Sequence, residues 1–190
     1  HSCTSPDIYR TMVLQINSRI LPFRNNTFMI PDPRSFLTEL FASLKRHDID
    51  VSPFELDHIC YRVETEICYT EMKVCFLEHA RLLVESIVSG RLIATFKLKA
   101  PILFEGRSIA VIELPSPKSS SPYSEGYEHA EFVIDSDPVA FTERYPQLDW
   151  DLSGTHKEVN ADVRLPLGRI SVKFHRDALE KVIEGERLKA

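Results

Sequence analysis

The chain has 190 residues, 43% hydrophobic and 27% charged, and 23 Lys and Arg against 28 Asp and Glu give a formal net charge of -5. This size and balance suit one compact domain and exclude wholesale disorder, and no apolar run nears the roughly 18 residues of a membrane span. The mild acidity argues against nucleic-acid binding, and four cysteines without a CxxC pair (Cys3, Cys60, Cys68, Cys75) fit free thiols in a reducing, cytoplasmic setting.

Residues 1–31 lack a clear period and read as an N-terminal arm, in which 11–20 suits a short helix or strand. No apolar signal-peptide region follows His1, and Asn25-Asn26-Thr27 matches a glycosylation sequon of a kind chance also supplies. Asp32-Pro33 marks a helix start, and Phe36, Leu37, Leu40, Phe41 and Leu44 form its apolar stripe. Residues 56–63 read as a strand, with Leu56, His58, Cys60 and Arg62 on one side and Asp57, Ile59, Tyr61 and Val63 on the other. A second helix is expected from about residue 70, with Met72, Cys75, Phe76, Leu83 and Ile87 inward, stopping at Ser89-Gly90. Strands follow at 91–98, 102–104 and 108–114. A Pro/Ser-rich linker occupies 116–122. Beyond it come a strand at 127–134, a short helix at 138–145 opened by Asp137, a weak strand at 150–155, strands at 162–165 and 169–175, and an amphipathic helix at 177–187. That last helix packs on its own domain or pairs two copies in a homodimer.

The two halves share a pattern. Asp57-His58-Ile59 opens the first and Glu128-His129-Ala130 the second, and each closes on a strand that starts from Gly-Arg, at Gly106-Arg107 and Gly168-Arg169. Counted from its glycine, Glu113 holds the slot that His175 holds in the other half. A pseudo-two-fold relating the halves would gather His58, Glu113, His129 and His175. A lone strand histidine is ordinarily structural, but a carboxylate within the apolar run 109–114 is costly unless paired or metal-bound. Three imidazoles and a carboxylate suit a divalent metal such as Zn, Fe, Mn, Ni or Co.

At these residues the chain resembles the YecM-like family, placed in the vicinal-oxygen-chelate superfamily of glyoxalase, bleomycin-resistance and extradiol-dioxygenase relatives. The likeness is carried by Phe54-Glu55-Leu56-Asp57-His58-Ile59, Gly90-Arg91 with Phe96-Lys97-Leu98, and Ile112-Glu113-Leu114-Pro115 with Pro117. It continues in Tyr123-Ser124-Glu125-Gly126-Tyr127-Glu128-His129-Ala130-Glu131 and Val172-Lys173-Phe174-His175. The resemblance implies an α+β fold: two βαβββ modules in a cupped, partly closed mixed sheet, with an extra N-terminal helix. Module one is then about 54–115 and module two about 123–176, in a single domain over 32–190. It also implies a metal in the cup on His58, Glu113, His129 and His175, with Glu131 as an alternative carboxylate. The superfamily's usual fourth ligand is a glutamate.

Ordinary metal chemistry then gives the roles. Glu131 is the candidate general base, Arg62 a carboxylate clamp, and Lys173 an anion contact or a salt-bridge partner of Glu113 or Glu131. The expected function is a metal-binding protein, read as an enzyme using Lewis-acid catalysis on a small oxygenated, anionic substrate. A non-catalytic binding module and an interaction protein with a vestigial cup are the alternatives.

Overall fold

The structure is a computed structural model and describes residues 29–118 and 123–188. The arm up to residue 28, with segment 11–20, Cys3 and the sequon, lies outside the described residues, as do linker positions 119–122.

Helix α1 (Arg34–Arg46) starts one residue after Pro33, and Asp32 Oδ1 accepts from the Arg34 backbone N–H at 3.0 Å. Its expected stripe is buried at Phe36, Leu37, Leu40 and Leu44. Strand β1 (Glu55–Arg62) precedes helix α2 (Glu66–His79), whose first turn is capped by the Thr65 hydroxyl accepting from Cys68 N–H.

The second helix was expected to run on to Ser89-Gly90, and the structure corrects this. Residues Ala80–Val88 form strand β2, paired antiparallel with β3 (Arg91–Phe104) from Ala80↔Leu98 to Val88↔Arg91. Ser89 and Gly90, at φ 50° and 80°, make the two-residue hairpin turn that both positive dihedrals favour. Leu83 and Ile87 have helical spacing, yet Ile87 is 75% exposed, so only pairing with β3 distinguishes strand from helix here. The candidates 91–98 and 102–104 are one strand with a register break between Lys97 and Ile102. β4 (Arg107–Pro115) closes the unit, so the βαβββ order holds with different residues in it.

The second unit runs β5 (Gly126–Val133), α3 (Pro138–Thr142), β6 (Asp162–Leu167) and β7 (Ile170–His175), followed by α4 (Leu179–Arg187). Asp137 Oδ1 accepts from Val139 and Ala140 N–H and opens α3 as expected. The strand expected at 150–155 shrinks to one bridge, Asp151↔Arg164, followed by a 3-10 turn at Ser153–His156. The Asp151 carboxylate accepts from Ser153 N–H and the Thr155 hydroxyl donates to Leu152 O, local bonds that compete with a ladder.

The seven strands of the described residues form one open sheet in the order β2-β3-β4-β1-β5-β7-β6. The opening strands β1 and β5 pair antiparallel at its centre, and each is flanked by the parallel closing strand of its own unit, β4 or β7. One face carries the core: Ile59, Phe96, Ile112, Ala130, Phe132 and Phe174 pack with α1 and α2. Ring pairs such as Phe76–Phe96 at 5.4 Å and Phe141–Phe174 at 4.5 Å fill it. Helix α4 is fastened to the rest of the chain by Lys97–Glu180 at 2.6 Å and by Leu179 N–H donating to Asp57 Oδ2 at 2.9 Å. No helix among the described residues is long and apolar enough to cross a membrane. Cys60, Cys68 and Cys75 are free thiols.

Candidate functional site

Sheet register sets the site. One row of neighbours crosses the polar face as Lys97, Val111, His58, Glu131, Lys173 and Arg164, and the next as Thr95, Glu113, Cys60, His129, Ser171 and Pro166. His58 therefore stands beside Glu131, and Glu113 and His129 flank Cys60, at the joint between the units.

Two register shifts in the β1–β5 ladder refine this. Leu56 pairs Phe132 but His58 pairs Glu131, leaving Asp57 as the extra residue of a bulge. Cys60 pairs His129 but Tyr61 pairs Tyr127, leaving Glu128 as the extra residue of a second bulge on the other strand. Strict alternation puts Asp57 on the side opposite His58; the bulge instead turns its carboxylate back, with Oδ2 at 2.7 Å from His58 Nδ1. Glu128 Oε2 meets His129 Nδ1 at 2.5 Å in the same way. An ionised carboxylate only accepts, so both rings carry a proton on Nδ1, and Nε2 is the atom each turns inward.

His58 and His129 are 2% and 5% exposed, and their Nε2 atoms have no hydrogen-bond partner. Both converge on one carboxylate oxygen: Glu131 Oε1 lies 3.4 Å from His58 Nε2 and 3.1 Å from His129 Nε2. Glu113 Oε2 is 3.7 Å from His58 Nε2. Metal–ligand bonds of about 2.1 Å put neighbouring ligand atoms about 3.0 Å apart in an octahedron and about 3.4 Å apart in a tetrahedron. The observed separations fall in or near that range with misdirected hydrogen-bond geometry, so the donor set fits a divalent ion. His58, Glu113 and Glu131 form one ligand-competent group, Cys60, Glu113 and His129 a second, and Asp57, His58 and His175 a third.

His175 differs. Its Nδ1 faces the Asn160 side-chain amide N at 3.3 Å, and that amide is oriented by donating to Asp177 O and accepting from Asp177 N–H. Nδ1 thus accepts, which puts the His175 proton on Nε2, 3.5 Å from both Asp57 Oδ2 and Glu131 Oε2. Register explains the difference. Glu113 pairs the residue two after His58, and the residue two after His129 pairs Lys173. In the ladder, then, Lys173 rather than His175 is the counterpart of Glu113. The turn glycine is second in the Glu105-Gly106 loop and first in Gly168-Arg169, so counting from it does not carry register.

Charge follows geometry. Burial pushes the His58 imidazolium pKa down, but the Glu131, Asp57 and Glu113 carboxylates outweigh this and hold it well above the usual value. Burial and Lys173 likewise oppose a proton on His129, yet Cys60 and Glu128 raise it to about 10. Burial pushes Glu131 up, and Lys173 and His58 more than reverse it, holding the carboxyl well below the usual range. Burial lowers His175, which is neutral.

Lys173 Nζ meets Glu131 Oε1 at 2.6 Å, the salt-bridge alternative, while Glu131 is buried among four partners. Arg62 is not beside His58. After the second bulge it pairs its NH2 with Glu128 Oε2 at 2.9 Å and lies 4.4 Å over the Tyr123 ring, at a separate depression. The polar face opens into a cavity of about 390 Å³, lined by His58, Glu113, Glu131 and Lys173 and walled by β2, β3 and α4. Asp57, Glu128, Asn160 and Cys60 join the site beyond the residues that the sequence pattern picks out. For the two acids the signal was present, since an acid precedes each paired histidine.

The chain matches the family described as YecM protein over residues 25–186. It is 27% identical to Protein YecM of Escherichia coli (strain K12), over 80% of this chain and 89% of that protein. A protein of Haemophilus influenzae described as uncharacterised is 34% identical over 110 residues, which span 58% of each chain. A solved structure described as Protein EC4020 superposes with a TM-score of 0.71 at 25% identity, over 80% of this chain and 88% of that one. With the match running through both histidine strands, both bulges and the last helix, the chain belongs to the YecM family.

Proposed function

We propose that this protein binds a divalent metal ion at the joint of its two units through His58, Glu113, His129 and Glu131. A small oxygenated molecule would be received in the adjoining cavity. The observation that carries the reading is the pair of buried imidazoles, each fixed by a bulged carboxylate at Nδ1 and each aiming an unpartnered Nε2 at Glu131. Glu131 takes the fourth place in preference to His175, because the Asn160 contact leaves a proton on His175 Nε2. His175 Nε2, also without a hydrogen-bond partner, lies 3.5 Å from both Glu131 Oε2 and Asp57 Oδ2 instead. Zn, Fe, Mn, Ni and Co all suit two imidazoles and two carboxylates. Such an ion supplies Lewis-acid polarisation of a carbonyl or enol oxygen.

The chain's own groups do the rest. Asp57 and Glu128 hold ring orientation and tautomer. Lys173 neutralises Glu131 and keeps it ionised, which favours a ligand role over the general-base role first expected of it. The β2, β3 and α4 walls restrict water. Arg62 supports Glu128 and so acts on His129 from behind rather than on a substrate.

Elemental analysis of protein purified without a histidine tag tests the reading. About one equivalent of metal is expected, lost in His129→Ala and reduced in Glu113→Gln with the fold retained. Metal-free protein that takes up no added Zn2+, Mn2+ or Ni2+ would sink it. The short Lys173–Glu131 contact favours a second reading, a cup whose built-in ammonium replaces the metal in a non-catalytic binding module; in that case the same titration is flat.

A further inference from the structure

The cavity holds three cations along its wall, and they are not alike. Lys173 is spent on Glu131 and Lys157 on Asp162. Among the described residues Arg91 meets no carboxylate: NH1 donates to Tyr123 Oη at 2.7 Å and to Ser116 O at 3.3 Å, both neutral acceptors, and its remaining N–H groups find no acceptor there. Both contacts lie at NH1, so the guanidinium is oriented while its other edge stays available. A planar fork of that kind matches a carboxylate bidentately.

Its place in the sheet gives the ligand's shape. Arg91, Ile93 and Thr95 share the polar face of β3, and Thr95 pairs Glu113 in the row that carries His129. Four residues of strand separate Arg91 from that row, roughly 13 Å of backbone. The wall between is mainly apolar, with Ile93 from β3, Val84 and Val88 from β2 either side of Ser86, and Val182 and Ile183 from α4. The Glu186 carboxylate on α4 lines the same space and is exposed.

We propose that Arg91 is a specificity-determining residue that anchors the carboxylate of an elongated ligand. The ligand's apolar middle lies along Ile93, Val84 and Val182, and its oxygenated head reaches His58, Glu113 and Glu131. The chelating head rests on the metal reading above; the Arg91 anchor does not. The anionic group first expected at Arg62 or Lys173 is thereby assigned to a different arginine at the far end of the cavity.

The test compares two probes, 3-(3,4-dihydroxyphenyl)propanoate and its neutral analogue 4-propylcatechol. Each is titrated calorimetrically into zinc-loaded and into metal-free full-length protein, with zinc content measured before and after. A charged hydrogen-bond pair predicts that the carboxylate probe binds about 10–100-fold tighter than the neutral one. In Arg91→Gln the gap should fall below about threefold, with the neutral probe's affinity and the zinc content unchanged. Arg91→Lys keeps the charge without the fork and should fall between. Equal affinities of the wild-type protein for the two probes, or a gap that survives Arg91→Gln, overturns the anchor. Absence of zinc binding overturns the metal reading instead, and the ratio in metal-free protein still decides Arg91.

Discussion

Asp57→Asn isolates what the first bulge does. The substitution is nearly isosteric, and the amide oxygen can still accept from Leu179 N–H, so α4 stays fastened. What disappears is the negative charge 2.7 Å from His58 Nδ1 and 3.5 Å from His175 Nε2, at a side chain only 4% exposed. A charge-assisted hydrogen bond becomes a neutral one, and the His58 ring loses both orientation and basicity. Outer-sphere carboxylates of this kind are worth about 10–100-fold in metal affinity, which is about 1.4–2.8 kcal/mol at 1.4 kcal/mol per decade. Competition titration of Zn2+ against a chromogenic chelator measures it, with Asp149→Asn, an exposed carboxylate away from the cup, as the charge control. A Zn2+ affinity in Asp57→Asn within twofold of wild type would refute the bulge-as-positioner argument. So would an equal loss in the control.

Lys173→Met should raise Zn2+ affinity while lowering the melting temperature of the metal-free protein, because Glu131 loses its buried partner at a cost of about 3–5 kcal/mol; differential scanning fluorimetry with and without Zn2+ reads both. The melting temperature should also fall with pH in the metal-free form alone. His129, raised to about 10 by folding, stabilises metal-free protein fully below about pH 6.5 and loses that contribution as pH climbs toward 10. Metal uptake needs neutral imidazoles, so the zinc-induced rise grows over the same window; parallel slopes in the two forms would contradict the assignment. Gly154→Ala should destabilise by about 1–3 kcal/mol in urea unfolding, since a Cβ there sits 2.7 Å from the Asp162 backbone oxygen. Asp137→Ala should cost about 1 kcal/mol through loss of two accepted N–H bonds at the start of α3.

Much of this architecture is legible from period and punctuation. The α1 stripe, the Asp137 cap, β1, β5 and β7 follow from local pattern, because each buries one face and local signals agree with tertiary demand. Residues 80–88 do not, because Leu83 and Ile87 satisfy helix and strand alike until β3 is there to pair with. The site is half legible for a similar reason. His58, Glu113, His129 and Glu131 lie in strands whose alternation is regular where it matters. Asp57 and Glu128 reach their histidines only through bulges, and an extra residue in a ladder leaves no mark in composition. Arg62 keeps the face of Cys60 but lies four residues along β1 from His58, opposite Gly126, where Glu128 takes its guanidinium. His175 looks equivalent to Glu113 only while glycines are counted, since pairing register depends on turn geometry that the letters Gly-Arg do not fix.

The bulges also bear on why a mildly acidic chain can receive an anion. Around the joint, Asp57, Glu113, Glu128 and Glu131 face Lys173, Arg62 and Arg164, four carboxylates against three cations with the imidazoles neutral. Glu128 is shared between Arg62 at 2.9 Å and Arg164 at 3.0 Å, so two of the cations are spent holding one outer carboxylate. The metal-free cup resolves its excess by keeping protons on His58 and His129, which is the physical content of their raised affinities for a proton. A dication displaces those two protons, and both states leave the local balance at about one positive charge. What the dication adds at the cavity floor is an open coordination position for an oxyanion or enolate head, which protonated imidazoles do not offer. Arg91 donates to the neutral acceptors Tyr123 Oη and Ser116 O and takes no part in that exchange. Carboxylate recognition at the mouth and oxygen recognition at the floor are therefore separable, and only the second should follow metal loading.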